Sequence, residues 1–357
     1  MGQQYGTKDK TVGIETVLTR SQVQELVIDY TECTSATDAG TEFANIPSQY
    51  ISSSFKSSNV SVPRWRHNLT TITPHFGAPQ PDTRTCTIEY TLPKDFGAPV
   101  YLYYRLTNFY QNHRRYVKSL DLDQLRGQFL SNETIANSVC NPLTTNDTTG
   151  VAYYPCGLIA NSIFNDTIGS PRSVSTSNGS TPEEYSMTRR GIAWASDLEL
   201  YQQTAYNNSD VLPPPNWQLR FPSGYNETYP IPNLHEYEEF AVWMRTAGLP
   251  TFSKLARRND NQTMRAGTYE IVIGDFFNVK AYGGTKSLLI STRTVMGGKN
   301  DFLGIAYLVV GGLCIVLGAF FTVAHLIKPR KLGDHTYLSW NNDVAPTATT
   351  TGRDAGR

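Results

Sequence analysis

The chain has 357 residues, 31 of them basic and 31 acidic, so that 17% are charged and the formal net charge is zero. With no field of one sign, binding to nucleic acid and electrostatic steering of acidic substrates are disfavoured. The 21 tyrosines, 20 prolines and 27 glycines instead indicate a β-rich body whose aromatic runs are punctuated by turns.

In chain order, residues 1–20 are polar and hold no apolar run of the length needed for a signal peptide or a membrane helix. Gly2 does not make a myristoylation site, because Gly6 stands where Ser or Thr is required. SQVQELVIDYTEC (21–33) reads as an extended segment leading into an outer domain, and 45–61 is Ser-rich and loop-like. CTIEYTL (86–92) and PVYLYYRL (99–106) alternate apolar and polar residues on either side of a turn-rich connection, which predicts a strand pair with one buried face. Beyond them Phe109, Tyr116, Val117 and Leu120 recur at near-helical spacing and predict a short helix that stops by Gly127. GSPRSVSTSNGSTPE (169–183) and VLPPPNW (211–217) read as surface excursions. GTYEIVIGDFFNV (267–279) and TKSLLISTRT (285–294) flank AYGG and predict a hairpin. Strands, Gly/Pro turns and few helices together predict a mainly β, antiparallel β-sandwich-like domain over 21–301, with no linker dividing it.

Residues 302–327 contain no Asp, Glu, Lys or Arg. As a helix at ~1.5 Å per residue they cover roughly 39 Å, enough to cross a hydrocarbon layer of ~30 Å with some tilt. Lys328, Arg330 and Lys331 follow, so the positive-inside rule places the tail, 328–357, in the cytosol and the large domain in the lumen or outside the cell. Nine Asn-x-Ser/Thr acceptors agree with that orientation: Asn59, Asn68, Asn132, Asn146, Asn165, Asn178, Asn207, Asn226 and Asn261 all precede the span. Four cysteines, Cys33, Cys86, Cys140 and Cys156, lie in the same region, while Cys314 sits within the apolar segment. An even number of thiols in an oxidising compartment predicts two disulfides, in any of three connectivities, and the spacings do not fit a metal site. Gly304, Gly311 and Gly318 recur every seven residues and form a stripe along which another membrane helix could approach closely.

The cluster NFYQNHRRYVKS (108–119) invites a catalytic reading, but His113 has only Asp121 and Asp123 near it in sequence. General acid–base work needs an orienting carboxylate together with a nucleophile or metal. HEYEEF (235–240) lacks the second histidine of HExxH, and neither GxSxG nor a phosphate-cradling glycine loop occurs. The sequence predicts no enzyme and no cofactor. Arg114 and Arg115 are then candidates for structural hydrogen bonding or for contact with a partner.

Taken together, VIDYTEC, NFYQNHRRYVKS, YYPCGLIANSIFND, GIAW, NWQLRFP, WMRTAGLPTFSKL, GGKNDFLGIAYLVVGG and PRKLGDHTYLSW resemble the accessory, or β, subunits of P-type phospholipid flippases, the cell-cycle-control-protein-fifty or ligand-effect-modulator family. The resemblance runs from about residue 21 to about residue 340 with the motifs in the family's order. It implies two transmembrane helices flanking a glycosylated ectodomain, both termini in the cytosol, and no reaction of the subunit's own. It further implies a heterodimer with a P-type ATPase that moves phospholipid from the exoplasmic to the cytosolic leaflet, and assembly as the condition for leaving the endoplasmic reticulum for the Golgi, endosomes or plasma membrane. The disulfides implied are Cys33–Cys86 and Cys140–Cys156. Residues 1–20 match neither the family's cytosolic tail nor its first membrane helix and are expected to replace them. A glycosylated surface receptor or adhesion protein with a single anchor is the alternative reading, and it leaves the glycine stripe unexplained.

Overall fold

The computed structural model describes residues 24–35, 40–55, 61–176, 182–292 and 301–327. Residues 1–20, the tail 328–357 and the acceptors Asn59 and Asn178 lie outside the described residues.

Residues 19–299 form one compact unit built on two antiparallel sheets. Its strands are β1 (Glu25–Asp29), β2 (Ala44–Asn45), β3 (Ile51–Ser53), β4 (Arg64–Ile72), β5 (Gln80–Leu92), β6 (Val100–Leu106), β7 (Thr167–Ile168), β8 (Arg172–Thr176), β9 (Phe252–Asn259), β10 (Gly267–Gly274) and β11 (Lys286–Thr292). Six short helices interrupt them: α1 (Arg114–Lys118), α2 (Leu122–Leu125), α3 (Asn132–Ala136), α4 (Leu158–Asn161), α5 (Ala195–Leu198) and α6 (Glu238–Met244). One sheet runs β3-β1-β11-β6-β9; the other runs β2-β4-β5-β10-β7, with β8 also on β10. Residues of both, such as Ile28, Leu102 and Leu288 from the first and Ile88, Tyr90 and Ile271 from the second, share one hydrophobic core, as a β-sandwich requires.

The two predicted strand pairs do not pair. β5 joins β10 and β4, whereas β6 joins β11 and β9. Likewise β10 and β11 belong to different sheets, because a 3-10 turn over Val279–Tyr282, ended by Gly283 at φ 66°, lies between them. Both connections carry the chain from one sheet to the other. Alternation identifies a strand with one buried face but not the neighbour that it hydrogen-bonds.

The two surface excursions are also partly structural. Residues 172–176 form β8, and Trp217 is buried with its indole N–H donating to the Ala160 carbonyl at 2.9 Å. The Ser-rich stretch contributes β3 to the edge of the first sheet.

Disulfides join Cys33 to Cys86 and Cys140 to Cys156, with Cα–Cα separations of 5.9 and 5.7 Å. The first links the end of β1 to β5, and therefore one sheet to the other. Closing a loop of this kind stabilises a domain by about 2–4 kcal/mol, largely through the unfolded chain. At the unit's ends the Thr292 N–H donates to the Gln24 carbonyl at 3.0 Å, so the chain enters and leaves along adjacent strands.

Described by itself, α7 (Asp301–Ile327) contains a continuous apolar stretch, Ile305–Ile327, that is long and apolar enough to cross a membrane.

Candidate partner-binding surface

β6 delivers the chain into 108–119. Asn108 takes a left-handed turn at φ 56° and its amide donates to the Tyr282 carbonyl at 2.6 Å. Phe109 then enters a cage of rings, with centroids at 5.3 Å to Tyr282, 5.5 Å to Trp243, 6.0 Å to Tyr116, 6.1 Å to Phe277 and 6.3 Å to Phe252. Most of these pairs meet edge to face, a favoured geometry for aromatic quadrupoles. Gln111 is fully buried, and its Oε1 accepts from the Ala247 N–H at 2.9 Å. Asn112 donates to the Gly248 carbonyl at 3.0 Å. Tyr116 is held by Ser162 at 2.8 Å, and burial pushes its phenol up to about 12.

Downstream, the Ser119 hydroxyl donates to the Cys140 carbonyl at 2.8 Å and accepts from the Leu158 N–H at 2.9 Å. Gly157 adopts φ +98°, and a Cβ there would collide with the Ser119 carbonyl. The glycine of the PCG run is therefore required both for its backbone conformation and for close approach. Trp243 Nε1 donates to the Ile159 carbonyl at 2.9 Å. Motifs far apart in sequence thus interlock through buried polar contacts.

The exposed residues of the segment are Asn108, Tyr110, Asn112, His113, Arg114, Arg115, Val117 and Lys118. Arg115 reaches the Asn141 side chain at 3.3 Å, while Arg114 makes no side-chain hydrogen bond or ion pair among the described residues. Leu249, 70% exposed, lies between Gly248 and Pro250, whose carbonyls accept from Asn112 and from the Phe109 N–H. Sequence reasoning singled out the two arginines, grouped Val117 with Phe109, Tyr116 and Leu120, although it is exposed, and had no signal at Leu249; no pattern separates an outward aromatic such as Tyr110 from an inward one without the fold. His113 caps α1 through its backbone alone, with no side-chain cap bond. Asp121 accepts from the N–H groups of Asp123 and Gln124 as the cap of α2, and the Asp123 carboxylate accepts from Arg126 at 3.4 Å.

A second feature without a sequence signal is a buried ionic cluster. Lys286 Nζ lies 2.7 Å from Asp166 and 2.5 Å from Asp275, with Asp166 fully buried. Asp166 also accepts from Tyr30 at 2.9 Å and from the N–H groups of Phe276 and Phe277 at 2.7 and 2.6 Å. Burial pushes the Asp166 carboxyl up, but four donors around it assign the ionised form. Burial opposes the Lys286 charge as well; the two carboxylates outweigh it and hold the ammonium above the usual lysine range.

Among the described acceptors Asn68, Asn132, Asn207 and Asn261 are exposed, and Asn146, Asn165 and Asn226 are half-buried. In α7, among the described residues, a Cβ added at Gly311 or Gly318 would meet nothing within 4 Å. Gly304 lies in the same helix.

These features define a class: a membrane protein with a disulfide-linked, mainly β domain and an apolar helix near its C-terminus. Residues 16–331 match the LEM3 (ligand-effect modulator 3) family / CDC50 family, and the chain belongs to that family. It is 41% identical over 329 residues to the phospholipid-transporting ATPase accessory subunit CDC50 of Chaetomium thermophilum, covering 91% of this chain and 81% of that protein. Identity to the phospholipid-transporting ATPase accessory subunit CRF1 of Saccharomyces cerevisiae is 39% over 335 residues, 94% of this chain and 81% of the relative. Human cell cycle control protein 50B is 41% identical over 264 residues, 70% of this chain and 73% of the human protein. The two fungal relatives are named as accessory subunits and not as ATPases.

Proposed function

We propose that this chain is a non-catalytic accessory subunit of a P-type phospholipid-transporting ATPase, forming a heterodimer with it. The observation that carries the reading is identity of about two residues in five, over more than nine-tenths of the chain, to proteins named as such subunits. The ATPase supplies phosphoryl transfer and the lipid path, moving phospholipid from the exoplasmic to the cytosolic leaflet. This chain supports its assembly, its export from the endoplasmic reticulum and its activity. In this reading the ectodomain is lumenal or extracellular and glycosylated, the tail is cytosolic, and the complex works in the Golgi, endosomes or plasma membrane.

Two surfaces meet the ATPase in this proposal. The exposed side of 108–119, with Tyr110, Arg114, Arg115 and Val117, meets its exoplasmic loops, where aromatic and arginine side chains are the residue types that dominate interface energetics. The Gly304, Gly311 and Gly318 stripe meets one of its membrane helices, because in lipid association depends on close van der Waals approach. The test is purification from membranes in mild detergent. Co-isolation of a large P-type ATPase in about equal amount is expected, with no ATP hydrolysis by the separated subunit; a chain that isolates alone, or that turns over substrate without a partner, overturns the proposal.

A further inference from the structure

A half-enclosed cavity of about 60 Å³ lies beside β6 and β9, walled in part by Arg189, Arg220, Arg257, His75, Glu239 and Thr167. Its charge is unbalanced. Arg257 donates to the Ile168 and Met187 carbonyls at 2.7 and 3.0 Å, and Arg220 to the Tyr237 hydroxyl at 2.7 Å and the Asn165 carbonyl at 3.2 Å. These neutral acceptors fix the direction of each guanidinium without neutralising it. Arg189 approaches Glu239 at 3.5 Å. Asp166 also borders the cavity, but its carboxylate is taken by Lys286, Tyr30 and two backbone amides. His75 approaches the same Glu239 carboxylate at 3.7 Å, so three guanidiniums face one carboxylate that Arg189 and His75 already share.

The polar atoms of the wall are also incompletely used. The Thr167 hydroxyl is buried without a hydrogen-bond partner, and an orphaned buried group of this kind calls for water or a ligand. The volume suits about four waters, which is close to the space taken by the four oxygens of one tetrahedral oxyanion. Fixed arginine forks are the side chains best matched to such an anion. Burial, with repulsion from Arg189, outweighs the attraction of Glu239 and Glu184 and pushes Arg257 down to about 10.

We propose that this cavity is a binding site for a small tetrahedral oxyanion of the phosphate class, held by Arg189, Arg220 and Arg257 with the Thr167 hydroxyl as a further donor. The site is independent of the signature face. Free phosphate and the phosphate of a lipid headgroup share this chemistry, and the limited volume favours the free ion, since a phosphodiester would leave both substituents in the opening.

The full chain in detergent is titrated by calorimetry and by thermal unfolding with inorganic phosphate at constant ionic strength, and in parallel with glycerophosphoserine. Saturable binding of phosphate is expected, weakened about tenfold or more by Arg220→Gln and by Arg257→Gln, and tightened several-fold by Glu239→Gln, which removes a competing carboxylate. Saturation by glycerophosphoserine at lower concentration than by phosphate assigns the headgroup as the source. Should either arginine variant fail to fold, the wild-type titration and the Glu239→Gln variant still decide. No saturable heat with wild-type protein, or a stabilisation identical in all variants, overturns the site.

Discussion

The hydroxyl of Tyr30 donates to Asp166 Oδ2 at 2.9 Å across 136 positions of sequence, and the same carboxylate oxygen accepts from Lys286 at 2.7 Å. Asp166 thereby ties β1 and β11 to the segment before β7. Removing one partner of a buried pair leaves the other charge uncompensated and costs about 3–5 kcal/mol. Asp166→Asn, which preserves shape, is expected to lower the unfolding temperature of the detergent-solubilised chain by roughly 10 °C, at about 2–4 °C per kcal/mol for a domain of this size. An unchanged unfolding temperature would contradict the assignment of a charged pair.

Phe109 and Tyr110 are neighbours with opposite roles. Phe109→Ala empties the aromatic cage and is expected to cost about 3–5 kcal/mol. Tyr110 is 57% exposed, and Tyr110→Ala is expected to leave thermal unfolding unchanged while reducing recovery of the ATPase. Comparable destabilisation by the two substitutions would place Tyr110 in the core.

Gly157→Ala forces a side chain into the Ser119 carbonyl at a backbone angle of φ +98°. The backbone strain alone is worth about 1–3 kcal/mol, and the collision adds to it. The variant is expected to be retained in the endoplasmic reticulum and to show free thiol at Cys140 and Cys156 on alkylation. Normal export with both thiols protected would show that the loop accommodates a Cβ.

Glu239 sets an acid limit. Burial pushes its carboxyl up, but the hydrogen bond from His75, with the charges of His75 and Arg189, outweighs burial and holds it below the ordinary glutamate value of 4.5. Between the folded value and 4.5 the unfolded chain binds more protons, so stability rises with pH there. The contribution is complete above about 4.5 and is lost as pH falls through the folded value. Unfolding temperature measured against pH is expected to fall less steeply below 4.5 in Glu239→Gln than in wild type; parallel acid limbs would remove Glu239 from the account.

The strands around 86–92 and 100–106 were legible because their apolar residues alternate, those around 267–274 and 286–292 because they flank the turn residues AYGG, and the apolar segment 302–327 because it contains no charge. Their neighbours were not legible. A strand carries its burial pattern in its own residues, whereas the choice of partner depends on where the connection turns, and the 3-10 turn at Val279–Tyr282 imitates a hairpin in composition. Within the candidate surface, Arg114 and Arg115 stood out by residue type. Tyr110 and Phe109 look alike in sequence, and only the rings of Trp243, Phe252 and Phe277, supplied from far along the chain, decide which of them turns inward. Asp166 was hidden within a glycosylation acceptor, and its partners Lys286 and Tyr30 lie more than a hundred residues away.

The central claim is that the exposed side of 108–119 meets the ATPase. Arg114 and Arg115 are both exposed, so reversing their charge changes the surface and leaves the core intact. With Arg114→Glu and Arg115→Glu combined, the ratio of ATPase to subunit recovered in mild detergent is expected to fall at least tenfold with the unfolding temperature of the subunit unchanged. Full recovery of the ATPase with the doubly reversed chain, together with normal export, would contradict it.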